Sequence, residues 1–102
     1  GGVVMILIIG GRGAGKRAFA QETLGCDPAK TLSALHELDP LPPLEELLGY
    51  EAVICDEVGC GVVPLERADR ERREAIGRLC CQLAQQAQAV YRLQCGLAMR
   101  LK

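Results

Sequence analysis

The sequence has few aromatic residues and no excess of charge of one sign. Aromatics make up 3% of its 102 residues, and 12 basic residues face 13 acidic ones, for a formal net charge of -1. Proteins that hold single-stranded nucleic acid stack bases on aromatic side chains, and a basic patch draws in nucleic acid or an anionic membrane. We therefore expect neither nucleic acid nor a membrane as a partner.

The sequence also lacks a long apolar segment. Its longest apolar run, from Val3 to Ile9, is far shorter than the roughly 20 residues of a membrane-spanning helix. No basic region precedes the run, and glycines and arginines follow it instead of a small-residue cleavage site. We predict a cytoplasmic protein in which residues 1–102 form a single domain.

The six cysteines include no C-x-x-C pair. Free cysteine is among the most buried residue types, and a reducing cytoplasm keeps thiols unpaired. We interpret these cysteines as buried thiols, and a zinc site is the alternative. They are Cys26, Cys55, Cys60, Cys80, Cys81 and Cys95.

The pattern that is present alternates strands with helices. Continuous β-branched runs are typical of strands buried on both faces of a parallel sheet, and an apolar period of three to four residues indicates an amphipathic helix. The fold class is therefore α/β, a minimal P-loop NTPase-like parallel sheet of about three strands with flanking helices. The predicted strands are 3–9, 51–56 and 89–93, and the predicted helices are 16–24, 31–38, 44–48 and 65–88.

A glycine-rich loop follows the first predicted strand and matches the phosphate-loop pattern G-x-x-x-x-G-K. Glycines let backbone N–H groups turn towards phosphate oxygens, the next helix presents its positive N-terminus, and the lysine neutralises charge. A weaker alternative is the dinucleotide fingerprint G-x-G-x-x-A, starting at Gly13. The predicted nucleotide-binding residues are Gly10, Gly11, Arg12, Gly13, Ala14, Gly15, Lys16 and Arg17.

The residue after the lysine departs from the pattern. A serine or threonine hydroxyl at this position ligates Mg²⁺ in phosphate-loop proteins, but Arg17 cannot ligate a cation. The second predicted strand ends in a carboxylate, so Asp56 is our first choice as the magnesium ligand and Glu57 the second. Lys16 and Glu57 are the predicted catalytic residues, and the expected cofactors are Mg²⁺ with ATP or GTP.

The string Glu57-Val-Gly-Cys-Gly-Val-Val-Pro64 resembles the N-E-V-G-x-G-I-V-P pattern of the adenosylcobinamide kinase and adenosylcobinamide-phosphate guanylyltransferase family. Residues 9–20 look like the family's T-G-G-A-R-S-G-K-S-x-x-A, and residues 96–102 look like its G-[IL]-x-x-x-[IL]-K ending. The resemblance implies an enzyme of cobalamin biosynthesis. By this resemblance, the enzyme would phosphorylate the aminopropanol hydroxyl of adenosylcobinamide and then transfer GMP from GTP onto that phosphate.

The chain departs from this family in three places. The family's serine and asparagine are replaced by Arg17 and Cys80, and the segment around the family's guanylylated histidine is missing. The histidine role is therefore not assigned to His36, which we interpret as a surface residue. Asp56 corresponds either to the family's metal-binding Asp or to the N of N-E-V-G, and the sequence leaves both readings open.

Two functions follow from these patterns. The first is a nucleoside-triphosphate-binding kinase of cobalamin biosynthesis, with adenosylcobinamide as a candidate partner. The second is a catalytically impaired nucleotide-binding or regulatory homologue, which Arg17 and the missing histidine segment favour. Because three strands bury little apolar surface and leave open sheet edges, we also expect a homo-oligomer.

Overall fold

The computed structural model describes residues 4–10, 15–35, 38, 40–56, 67–94 and 97–102. Five strands and three helices follow one another along these residues. The first helix continues as a π-helical segment (Phe19–Thr23), and a 3₁₀ turn (Pro28–Lys30) precedes the second strand. The elements are β1 (Ile6–Gly10), α1 (Lys16–Ala18), β2 (Thr31–Leu32), α2 (Leu44–Leu47), β3 (Ala52–Asp56), α3 (Arg67–Gln86), β4 (Ala89–Gln94) and β5 (Leu97–Arg100).

The strands form one sheet in the order β2-β3-β1-β4-β5. Strand β1 lies at its centre and pairs in parallel with β3 on one side and β4 on the other. Strand β2 extends the parallel part beside β3, while β5 runs antiparallel to β4. The apolar run predicted to be a central strand thus occupies that place, since a strand covered on both faces needs apolar residues in both alternating sets.

Helices cover the sheet on both faces. On one face, Ile76, Leu79 and Leu83 of α3 form a buried cluster with strand residues that include Leu7 and Val53. On the other face, Phe19 and Ala20 of the first helical segment pack with Ile8, Ile54 and Leu93. Alternate residues of each strand supply the two clusters because successive strand side chains point to opposite faces.

The prediction of about three strands is wrong: the sheet has five. Strand β2 falls where a helix over 31–38 was predicted, and Thr31 and Leu32 instead pair with Ala52 and Val53. Parallel pairing satisfies their backbone groups, and Ala34 has a positive φ of 57°, which ends any regular helix there. A two-residue strand is too short for periodicity to reveal.

Strand β5 was also missed because all four of its residues are exposed. A strand without a buried face has no apolar alternation for the sequence to display. Only two residues separate β4 from β5, a length typical of the tightest hairpin connections.

Among the described residues, no helix combines the length and the apolar character needed to cross a membrane.

Candidate functional site

The carboxyl ends of three parallel strands meet at one edge of the sheet. Gly10, the last residue of β1, pairs with Asp56, the last residue of β3. On the other side Gly10 pairs with Leu93 of β4. The predicted phosphate loop therefore leaves the sheet directly beside the predicted metal-binding aspartate, although the two are 46 positions apart in the numbering (56 − 10).

Gly10 fits at this edge because it has no side chain. A Cβ at this position would lie 2.5 Å from the carbonyl oxygen of Leu93, much closer than nonbonded atoms approach. The first glycine of the motif is thus required by close backbone approach between β1 and β4. Phosphate binding is the reason predicted from the motif, and the contact with β4 is a packing reason for the same glycine.

The helices that follow β1 and β3 pack on opposite faces of the sheet. The helix that follows β1 packs on one face of the sheet, with Phe19 against the Ile8 cluster. Helix α3, which follows β3, packs on the opposite face, with Leu83 against the Leu7 cluster. Two neighbouring parallel strands whose connections leave to opposite faces open a crevice outside their carboxyl ends, the position where open α/β sheets bind ligands.

Gly15 and Lys16 lie at the start of the first helix. Gly15 has φ 79° and ψ 28°, the left-handed region that side chains disfavour, and its carbonyl oxygen accepts the N–H of Phe19 at 3.0 Å. A left-handed residue followed by a helical one turns successive N–H groups towards the same side, and such a backbone concavity attracts anions. The left-handed Gly15 is compatible with a phosphate loop, and that assignment stays a prediction.

Lys16 is 7% exposed, so this charged residue is almost completely buried. A buried ammonium group must be compensated, and Lys16 interacts with another group of the protein. Helical residues project back towards the N-terminus of their helix, which here is the end that adjoins the loop.

Arg17 is exposed on the first helix, so it lies where the motif has a hydroxyl ligand and contributes only positive charge. A magnesium ion requires hard oxygen donors, and the backbone position of Asp56 beside Gly10 makes its carboxylate a suitable one. Magnesium ligation by Asp56 stays a prediction, which rests on its backbone position beside Gly10.

Several predicted site residues lie outside the described residues. These are Gly11, Arg12, Gly13, Ala14, His36 and Glu57. The nucleotide-binding, catalytic and metal-binding assignments made from the sequence remain predictions.

The cysteines are only partly as predicted. Cys26 and Cys55 are buried, Cys80 is half-buried, and Cys81 is exposed. The described residues contain no group of three or more His, Cys, Asp or Glu side chains placed to hold a metal ion. Cys60 and Cys95 lie outside the described residues.

Comparison with known proteins identifies the family. The family model described as cobinamide kinase / cobinamide phosphate guanyltransferase matches residues 44–101, more than half of the 102 residues. The chain belongs to the cobinamide kinase / cobinamide phosphate guanyltransferase family. This membership indicates a role in cobalamin biosynthesis and confirms the resemblance found in the sequence. No curated protein gives a significant match.

The family match includes Asp56 and Glu57 but begins after the glycine-rich loop. The loop is therefore assigned on its own motif and on the position of Gly10 in the sheet.

Helix α3 makes a contact that the sequence did not reveal. The Arg72 guanidinium donates a hydrogen bond to the carbonyl oxygen of Leu38 at 2.6 Å. This hydrogen bond holds the segment before α2 against α3. The sequence did not predict it, because Arg72 lies among alternating acidic and basic residues that suggest a solvent-exposed helix face.

Proposed function

We propose that this member of the cobinamide kinase family binds ATP or GTP at Gly10–Arg17 and transfers the γ-phosphoryl group to the aminopropanol hydroxyl of adenosylcobinamide. One observation carries the proposal. The predicted loop begins at Gly10, where β1 ends beside β3 at the crevice, and Gly15 leads directly into a helix whose first residue, Lys16, is buried. Crevices of this kind are where open α/β sheets hold nucleotides.

In this proposal the phosphates are held by backbone amides and one ammonium group. The first N–H groups of a helix have no partner within the helix, and the left-handed Gly15 directs neighbouring N–H groups to the same side. Lys16 would supply positive charge from a buried position. Charge interactions are stronger there than at an exposed position.

Asp56 would hold Mg²⁺, and Glu57 would accept the proton of the substrate hydroxyl. When bound, the ion neutralises the charge on the phosphate oxygens. The protein's own contribution is to place the hydroxyl in line with the γ-phosphoryl group and to stabilise charge as it develops. Guanylyl transfer is left out of the proposal because the family's histidine segment is missing around His36.

A second candidate is a nucleotide-binding homologue that does not transfer phosphate. Arg17 favours it, because an exposed guanidinium replaces the hydroxyl that ligates magnesium in active phosphate-loop proteins. In this case Lys16 and the loop amides still hold a nucleotide, and binding depends little on Mg²⁺. The two candidates share a binding site and differ in magnesium dependence and in turnover.

A transfer assay separates the two candidates. Purified protein is incubated with cobinamide, Mg²⁺ and ATP or GTP labelled on the γ-phosphate, and labelled cobinamide phosphate is measured. The kinase proposal predicts product with the wild type and a loss of at least about a hundredfold with Asp56→Asn, in line with losses of transition-state charge stabilisation.

The same preparations are then titrated with nucleotide. Binding without product supports the second candidate and overturns the kinase. Absence of both binding and product contradicts both candidates. Lys30→Ala is a matched control, because Lys30 is an exposed lysine that precedes β2 at the amino ends of the parallel strands, the sheet edge opposite the loop.

A further inference from the structure

Strands β4 and β5 have an open face on the side of the sheet that carries α3. Val90 of β4 belongs to the cluster under α3, and Arg92 and Gln94 share its face because alternate strand residues point to the same side. On β5, Met99 lies directly opposite Arg92. Leu97 lies opposite Gln94 in the same way. Directly opposed residues of paired strands share a face, so all four side chains adjoin one another.

These four side chains line an open cavity of about 550 Å³. The exposed side chains of Leu97 and Met99 supply apolar surface. The half-buried Arg92 and the exposed Gln94 supply polar groups. Ligand pockets typically combine apolar walls with a few polar groups that fix the orientation of the ligand. The composition of this cavity therefore suits a molecule with an apolar body and hydrogen-bond acceptors at its periphery.

The opposite face of β4 is already used within the protein. Tyr91 packs edge-on against Phe19, with 5.2 Å between the ring centroids. The guanidinium carbon of Arg100 lies 5.9 Å from the centroid of the Tyr91 ring. These contacts cover β4 on that side, so the face that carries Arg92 is the one open to a ligand.

The cavity adjoins the edge of the sheet where the predicted phosphate loop begins. Arg92 pairs with Ile9, the residue directly before Gly10. Gln94 lies one residue beyond Leu93, which is the partner of Gly10. Neighbouring strands are about 4.8 Å apart, so β5 lies about 10 Å from β1. A molecule bound in the cavity can therefore extend a side arm to the crevice outside the carboxyl end of β1.

We propose that this cavity binds the acceptor of the phosphoryl transfer, an inference that rests on the proposed function. A corrinoid acceptor has a large ring with apolar methyl-bearing edges, amide side chains, and an arm that ends in the reacting hydroxyl. Leu97 and Met99 pack against an edge of the ring. Arg92 and Gln94 donate hydrogen bonds to amide oxygens, and the arm reaches the crevice.

Arg92 is suited to this role because a guanidinium group has five N–H donors. It also interacts with another group of the protein, and the remaining donors serve the ligand. Its planar fork is pre-organised, so little rotamer freedom is lost for each hydrogen bond formed. Arg92 thus fixes the orientation of the acceptor, while the apolar residues of β5 supply contact area.

A second copy of the chain is the alternative occupant of this face. Pairing at the edge of β5 uses backbone N–H and C=O groups, which lie in the plane of the sheet and do not point into the cavity. Self-association through that edge is therefore compatible with an acceptor on the face. The two uses of the face itself differ in what they predict for the exposed Leu97.

The test measures binding of cobinamide to the 102-residue chain by equilibrium dialysis without nucleotide. The variants are Leu97→Gln, which replaces an exposed apolar side chain, and Arg92→Gln, which removes the guanidinium. We expect the wild type to bind and each variant to bind at least about tenfold more weakly. Val4→Gln and Arg100→Gln are the matched controls and should bind as the wild type does. Val4 is an exposed apolar residue before β1, and Arg100 lies on the opposite face.

Equal cobinamide affinity in the wild type and Leu97→Gln overturns the inference and leaves the proposed function standing. This comparison decides the matter even where Arg92→Gln fails to fold, because Leu97 is exposed. Absence of cobinamide binding by the folded wild type also overturns it. A sedimentation coefficient that falls in Leu97→Gln while cobinamide affinity is unchanged assigns the face to a second copy instead.

Titration of the same proteins with nucleotide separates this inference from the proposed function. We expect Leu97→Gln and Arg92→Gln to bind nucleotide as the wild type does, because the cavity holds the acceptor alone. Cobinamide binding that depends on Leu97, in a wild type that binds no nucleotide, would support the acceptor cavity and contradict the proposed function. An equal loss of cobinamide and nucleotide affinity in both variants would overturn a separate acceptor cavity.

Discussion

Gly10 has two roles at one position, since it begins the phosphate-loop motif and lies against the backbone of β4. A Cβ there meets the Leu93 carbonyl oxygen at 2.5 Å, and a backbone atom cannot move aside as a side-chain tip can. We expect Gly10→Ala to lower the free energy of unfolding by about 1–3 kcal/mol, the usual cost of overpacking. Chemical denaturation followed by circular dichroism measures this change.

Gly77 provides the matched control for that substitution. It lies within α3, and a Cβ built there meets no atom within 4 Å. Alanine favours the helix over glycine by about 0.5–1 kcal/mol, so Gly77→Ala should raise the free energy of unfolding. If both variants changed stability in the same direction, the close contact between β1 and β4 would not be the reason for Gly10.

Arg17 occupies the position at which phosphate-loop proteins carry a hydroxyl that ligates magnesium. We expect Arg17→Ser to raise the ratio of nucleotide affinity with Mg²⁺ to that with EDTA by about tenfold, or about 1.4 kcal/mol, because a hydroxyl ligand replaces a cation. Arg17→Ala is the control, since it removes the charge without supplying a ligand. An unchanged ratio in Arg17→Ser would contradict our interpretation of this position.

At the scale of elements, α3 stabilises the fold through one buried stripe. Leu83 is fully buried in the cluster that joins α3 to β1 and β3, while its neighbour Gln82 is exposed. We expect Leu83→Ala to cost about 2–5 kcal/mol of unfolding free energy and Gln82→Ala less than about 0.5 kcal/mol. Equal effects in thermal denaturation would mean that α3 does not pack on this face.

Elements with a strong apolar pattern could be predicted from the sequence. The period of Ile76, Leu79 and Leu83 predicted α3, and the runs that became β1 and β3 were placed to within a few residues. The elements that escaped prediction, β2 and β5, are short or fully exposed. Their pairing depends on neighbours that are distant in sequence, and a local pattern does not carry that information.

The candidate site was predictable in part for the same reason. A glycine-rich loop between a strand and a helix identifies itself locally, and the prediction that Asp56 ends a strand is right. Its pairing with Gly10 could not be read from the sequence, because strand order depends on the whole sheet.

At the scale of the whole molecule, strand β5 forms an exposed sheet edge. Leu97 is 76% exposed and Met99 62%, and alternate residues of a strand share one face. Apolar edge strands tend to pair with other chains, so we expect this protein to self-associate through β5. Sedimentation velocity over a range of concentrations should show a dimer or larger species.

A charged substitution on β5 tests whether this strand forms the contact between copies of the protein. Met99→Lys should shift the sedimentation coefficient towards that of the monomer, because a lysine on an edge strand opposes pairing. Gln86→Lys, an exposed position on α3, adds the same charge elsewhere. A wild type that stays monomeric at every concentration would contradict the expected homo-oligomer, and an equal shift in both variants would exclude β5 as the contact.

The central claim is that a nucleoside triphosphate binds outside the carboxyl end of β1, and isothermal titration calorimetry tests it most directly. ATP and GTP are titrated, with and without Mg²⁺, into the wild type, Lys16→Met and the control Lys30→Ala. We predict that the wild type and Lys30→Ala bind nucleotide with measurable heat. Lys16→Met should bind at least about a hundredfold more weakly, a loss of about 2.7 kcal/mol. Equal affinity in Lys16→Met, or no binding by the folded wild type, would contradict the claim.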